Sequence, residues 1–199
     1  MEFRELTVRD AFEVTAPQFP DERGLFTAPF QLEAFREATG RDLTVKQTNV
    51  SVSRRGALRG IHYADVPPSQ AKYVTAVSGA LIDFVVDLRV GSPTFGQWDS
   101  VRLDTVERRA VFVPEGFGHA LFALEDDSTA LYLCSEGFAP GREHGIHPLD
   151  PDVSLTLPAG IEPIVSAKDA AAPSLAQASD LQLLPAYGEC QAWYAQVQL

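Results

Sequence analysis

The stretch RGIHYADVPPSQAKYV sets Arg59, His62 and Lys72 around a proline-bearing loop, between two runs that read as buried strands. A neutral imidazole can take a proton from carbon, and an ammonium can stabilise the negative charge that then develops on a neighbouring oxygen. Together they form an apparatus for enolisation. Asp169, in VSAKDAAAP, is a candidate carboxylate to set the basicity of His62. Inverting a carbon further needs an acid on the opposite face, and Tyr132 in STALYLCSE is the candidate donor. Strand alternation puts Ala130, Tyr132 and Cys134 on one face and Leu131 and Leu133 on the other. Periodicity alone does not say which face is inward, and a lone tyrosine in an apolar strand is more often a core residue.

Other polar groups carry less. His144 and His147 form a H-x-x-H with no third ligand in sight, and Cys134 and Cys190 belong to no C-x-x-C pair or Cys/His cluster, so no metal site is expected. Arg54 and Arg55 flank Gly56 as solvated turn residues, Asp126 and Asp127 fit a hairpin turn, and Asp87 and Arg89 fit a strand end. The formal net charge of -11 opposes binding to nucleic acid. An anionic ligand would have to be held by a local basic cluster.

The elements that must position these groups are short and β-rich. From Val45 to about Ser135 the runs VKQTNVSVS, ALRGIHY, AKYVTAV, LIDFVVDL, WDSVRL, AVFVP, HALFAL and TALYLCS are broken by turn residues, which predicts a barrel or a sandwich. No βα rhythm supports a parallel sheet. One early helix is expected over Gln31 to Gly40, stopped by its glycine, and a helical segment interrupted at Pro185 follows Pro173. In a regular strand Arg59 and His62 point to opposite faces, so a shared cavity requires a bulge at Gly60. With 199 residues and no internal repeat, a single domain is expected, with its barrel core at about 45-165 and a helical cap at about 170-199. The charged start MEFRELTVRDAF and the lack of any bilayer-length apolar run give the expectation of a soluble cytoplasmic protein without membrane partners.

Within VFVPEGFGHALFAL, the run Pro114-x-Gly116-x-x-His119 resembles the second motif of the cupin superfamily, where a glycine turn delivers a histidine into a barrel mouth. The first cupin motif would place a glutamate where this chain has Lys72, and an ammonium cannot coordinate a cation. The barrel motif is therefore present without its metal site. More specifically, RGLFTAPF, QTNVSVSRRGALRGIHY, AKYV, VDLRVGSPTFGQW, VPEGFGHAL, LYLCSEGFAPGREHGI and VSAKD stand in the order and spacing of the dTDP-4-dehydrorhamnose 3,5-epimerase family. The chain resembles in particular its actinomycete members that act on dTDP-4-keto-6-deoxyhexoses in antibiotic-sugar pathways.

That resemblance implies a cupin-type antiparallel β-barrel or jelly roll and a cofactor-independent epimerase inverting C5, C3 or both. It makes His62 the base, Asp169 its partner, Tyr132 the acid and Lys72 the cation beside the C4 oxygen. Arg59, His119, Gln47 and Asn49 match substrate-binding positions, and Phe138, Glu143 and Lys168 match the nucleotide end. Arg23 and Phe26 of RGLF would be supplied by the neighbouring subunit of a homodimer that exchanges its N-terminal segments. Two departures bear on base recognition: Ala28 stands where the family usually has glutamate, and Phe138 where it usually has tyrosine or tryptophan. The residues alone leave two rivals open, a 3,4-ketoisomerase on the same substrate class and a non-catalytic cupin that binds sugar nucleotides.

Overall fold

In the computed structural model, which describes residues 1–197, two antiparallel sheets face one another. The chain opens with strands β1 (Glu2–Glu5), β2 (Phe12–Thr15), β3 (Gln18–Asp21) and β4 (Gly24–Thr27), then helix α1 (Leu32–Thr39). Eight strands follow: β5 (Gln47–Ser53), β6 (Ala57–Ala64), β7 (Lys72–Ser78), β8 (Ala80–Asp87), β9 (Trp98–Asp104), β10 (Arg109–Val113), β11 (Phe117–Ala123) and β12 (Ser128–Cys134). Two short strands, β13 (Glu143–Gly145) and β14 (Ile164–Val165), precede helices α2 (Ala167–Ala170), α3 (Leu175–Asp180) and α4 (Tyr187–Val197).

One sheet runs β1-β2-β10-β7-β12-β5 and the other β13-β6-β11-β8-β9, with β14 lying parallel to β6. The two ladders stay separate, so the expected barrel does not close by continuous strand pairing. Side-chain alternation explains the layering. Val74 and Ala76 of β7, Val111 and Val113 of β10 and Ala130 of β12 meet Leu81 and Val85 of β8 and Leu121 and Ala123 of β11 in a core between the sheets. The intervening residues Phe84 and Val86 turn outward, where Leu175 and Ala178 of α3 cover them. On the far side of the first sheet, Tyr73, Ala110 and Phe112 pack under α1 through its fully buried Phe35.

The helix expected over Gln31 to Gly40 is α1, closed by Gly40 in the left-handed conformation with its N–H on the Arg36 carbonyl. After Pro173, Ser174 and Gln177 form a capping box that starts α3, and α4 begins just beyond Pro185. The last two residues of the expected cap lie outside the described ones. Strands β1 and β2 went unread in the sequence because β1 carries Glu2, Arg4 and Glu5 at a sheet edge. They nevertheless extend the first sheet through pairing of β2 with β10, N-terminal to the expected core. Asp87 and Arg89 do form a structural strand end: Arg89 is buried, bonds both carboxylate oxygens of Asp87, and reaches Asp10 at 2.6 Å.

Candidate active site

The site begins with a break in strand β6. His62 is paired with His119 of β11 and Arg59 with Leu121, so three residue steps on β6 face two on β11. This is the bulge that Gly60 was expected to supply. Gly60 takes φ +130°, and a Cβ there would stand 2.4 Å from the His119 carbonyl oxygen, a position only glycine fills without moving backbone. As a result Arg59 and His62 both line a single cavity of about 550 Å³ between the sheets. Arg59 is held there by bonds from its guanidinium to Ser53 Oγ at 3.0 Å and the Val52 carbonyl at 3.1 Å.

His62 Nε2 lies 2.7 Å from Asp169 Oδ1. The ionised carboxylate accepts, so Nε2 carries the proton and the other ring nitrogen is the basic one. Asp169 is buried at the start of α2, whose N-cap Ser166 accepts the Asp169 backbone N–H and fixes that turn against β6. Burial lowers the basicity of His62, and the Asp169 hydrogen bond and charge pull it back up; the net shift is below its ordinary 6.5. The imidazole is therefore neutral at pH 7, which a base requires.

Tyr132 and Lys72 come from the opposite wall. The core cluster settles which face of β12 is inward: Ala130, Tyr132 and Cys134 all point between the sheets. Burial pushes the Tyr132 phenol up to about 12, so it holds its proton, and its oxygen lies 3.1 Å from Ser51 Oγ. Lys72 starts β7 opposite Cys134 and lines the same cavity. Desolvation lowers its pKa, against the upward pull of Cys134, Glu143 and Asp83. His119 stands T-shaped to the Tyr132 ring and is oriented by Asp83, which is fully buried 3.1 Å from Nδ1.

Of the remaining expected residues, Gln47, Asn49, Phe138, Glu143 and Lys168 also line the cavity. Gln47 links two of them: its amide donates to Asn49 at 2.7 Å and its carbonyl accepts the Phe138 backbone N–H at 2.8 Å. Phe138 is 62% exposed at the cavity edge. Arg23 and Phe26 do not join the others within this chain. They sit on the separate β3–β4 hairpin, Phe26 exposed and Arg23 bonded to Asp21. Of the side groups read as non-functional, His144 bonds Asp65 at 2.6 Å and His147 accepts the Leu149 N–H.

Sequence reasoning missed Ser51, Gln70, Asp83 and Ser166. Period two, extended one step beyond Gln47 and Asn49, would have found Ser51 on the same face. Asp83 left a trace as the one charged residue inside the apolar run LIDFVV. Gln70 and Ser166 lie in loop and cap positions that no periodicity marks.

The His62–Asp169 pair on one wall, with the Tyr132 phenol and the Lys72 amine on the other, is an arrangement that can move protons to and from a molecule held between two β-sheets. The chain belongs to the dTDP-4-dehydrorhamnose 3,5-epimerase family, whose model matches residues 5–177. It is 52% identical to the dTDP-4-dehydrorhamnose 3,5-epimerase of Mycolicibacterium smegmatis, across 97% of this chain and 95% of that one. The fold is similar to that of the Mycobacterium tuberculosis rmlC epimerase, with a TM-score of 0.97 at 47% identity over 99% of this chain and 100% of that one. It is also similar to ChmJ, a 3'-monoepimerase from Streptomyces bikiniensis solved in complex with dTDP-quinovose, with a TM-score of 0.94 at 47% identity over 98% of each chain.

Proposed function

We infer that the protein is an epimerase of dTDP-linked 4-keto-6-deoxyhexoses, inverting C3, C5 or both, in the making of antibiotic deoxysugars. One observation carries the mechanism: the His62–Asp169 pair at 2.7 Å stands on the wall opposite protonated Tyr132. His62 takes the proton alpha to the C4 ketone, and the C–H electrons pass to the C4 oxygen. Lys72 stabilises the enolate formed there. Tyr132 returns a proton to the other face, the carbonyl re-forms, and the centre is inverted. The reaction is redox-neutral, with one proton removed and one restored, so these side chains can account for every step.

Arg59 with His119, Gln47 and Asn49 would hold the diphosphate and sugar, leaving the nucleotide end to Phe138, Glu143 and Lys168. In support, all of these residues line the one cavity. The sheets are read as a cupin-type jelly roll, on the strength of their facing antiparallel ladders and the glycine turn that delivers His119. Arg23 and Phe26 are proposed to reach the cavity of a second copy in a homodimer. The exposed apolar side chains Phe19, Leu25 and Phe26 on one projecting hairpin support that reading. A cytoplasmic setting goes with a diphosphate-linked substrate, whose charge bars it from crossing lipid.

The test is NMR of the protein with a panel of dTDP-4-keto-6-deoxyhexoses in deuterated water. Deuterium is expected at C3, C5 or both, with inversion of the labelled centre. No exchange with any member of the panel rejects the reading, and a ketone moved to C3 identifies a ketoisomerase instead.

A further inference from the structure

We propose that Ser51 is a positioning residue for the proton-returning phenol: it holds Tyr132 in the delivering orientation and stabilises the phenolate that delivery leaves behind. The proposal rests on the epimerase reading above. Strand register pairs Tyr132 with Asn49 and Ala130 with Ser51, so Ser51 is the diagonal neighbour of Tyr132 on the inward face. Its Oγ lies 3.1 Å from the phenol oxygen and, among the described residues, is that oxygen's hydrogen-bond partner. Asn49, the directly opposite residue, is occupied elsewhere: it accepts from Gln47 and donates to Cys134. The ring itself stands T-shaped to His119, with centroids 6.0 Å apart, and His119 is anchored by buried Asp83. One neighbour thus fixes the ring plane, and Ser51 fixes where the oxygen points.

The chemistry makes this contact unequal between the two half-steps. When the enolate carbon takes the phenol proton, the O–H bond breaks, its electron pair stays on oxygen, and a new C–H bond forms. The phenolate is left in a buried wall that disfavours charge. The hydroxyl of Ser51 can turn its hydrogen toward that oxygen and donate a charge-assisted bond. Proton abstraction by His62 creates no charge on Tyr132 and makes no such demand. Ser51 should therefore govern inversion and leave exchange largely alone.

The experiment compares wild type, Ser51→Ala and Ser51→Thr in deuterated water, following deuterium wash-in and net inversion separately by NMR, with thermal melts to show that each variant is folded. Ser51→Ala is expected to slow inversion about tenfold, the worth of losing one hydrogen bond to a charged group, and to change wash-in by less than about twofold. Ser51→Thr, which keeps the hydroxyl, is expected to restore most of the inversion. A Ser51→Ala enzyme that slows both processes equally, or neither, overturns the proposal, as does a Ser51→Thr enzyme that behaves like the alanine variant. A wild-type protein that exchanges no deuterium overturns the epimerase reading itself, an outcome visible before any variant is compared.

Discussion

The proposed role of His62 as a base draws on two opposed influences: burial lowers its affinity for a proton, and Asp169 limits the fall. Replacing His62 with alanine is expected to cost on the order of 10²- to 10⁴-fold in kcat, the usual worth of a positioned acid or base, measured by steady-state NMR assay. Tyr132→Phe should differ in kind, keeping solvent exchange and losing net inversion, because abstraction does not use the phenol. The pH profile separates His62 from Lys72. On the acid side, kcat/KM falls as His62 gains its proton, at a pH below the ordinary histidine value of 6.5. On the alkaline side, Tyr132 keeps its proton up to about 12, whereas burial brings Lys72 below its ordinary 10.5. The alkaline limb therefore belongs to Lys72, and Lys72→Arg, whose charge does not titrate in this range, should displace it upward. A limb that stays in place in a still active Lys72→Arg enzyme contradicts the assignment.

At the scale of elements, the site depends on one irregularity in β6. Without the bulge at Gly60, the side chain of Arg59 would leave the cavity for the opposite face. Gly60→Ala sets a methyl carbon against the His119 carbonyl oxygen and the Ala120 backbone, in a left-handed conformation that alanine resists. We expect a lowered Tm and loss of most activity, since the displaced strand carries both His119 and the register of His62. The need for this bulge was legible in the sequence, because a glycine between an arginine and a histidine three apart was the only local means of bringing both to one face. The run of strands from β5 to β12 was legible too, since each is a short β-rich run bounded by turn residues. The strands β1 and β2 were not, because their pairing is set by a distant partner, β10.

At the scale of the whole molecule, a net charge of -11 surrounds a cavity that collects Arg59, Lys72 and Lys168. These cations, set beside Glu143 and Asp169 in the same lining, would hold the anionic end of the proposed substrate against the overall charge. The β3–β4 hairpin stands apart from both sheets and carries its apolar side chains outward. If it completes a neighbour's cavity, Phe26→Glu should raise KM for the nucleotide sugar while sparing the melting temperature of the subunit fold. Analytical ultracentrifugation should show a dimer in the wild type and a weakened one in the variant. A wild-type monomer with full activity at assay concentration rejects the exchange.

By itself the sequence determined the β-rich class, the helices at both ends and the candidate residues for the proposed chemistry. Their types have only a few uses together, and alternation fixes which neighbours share a face. It could not determine which face of β12 turns inward, since a lone tyrosine suits either a core or a cavity. The tertiary structure decided this by packing Ala130 and Cys134 into the core between the sheets, which carries Tyr132 to the wall opposite His62. Only that packing could bring Ser51 against the phenol and Asp169, 107 positions along the chain from His62, against the imidazole. Contacts between distant strands follow from how the sheets close on one another, and no local period in the chain records them.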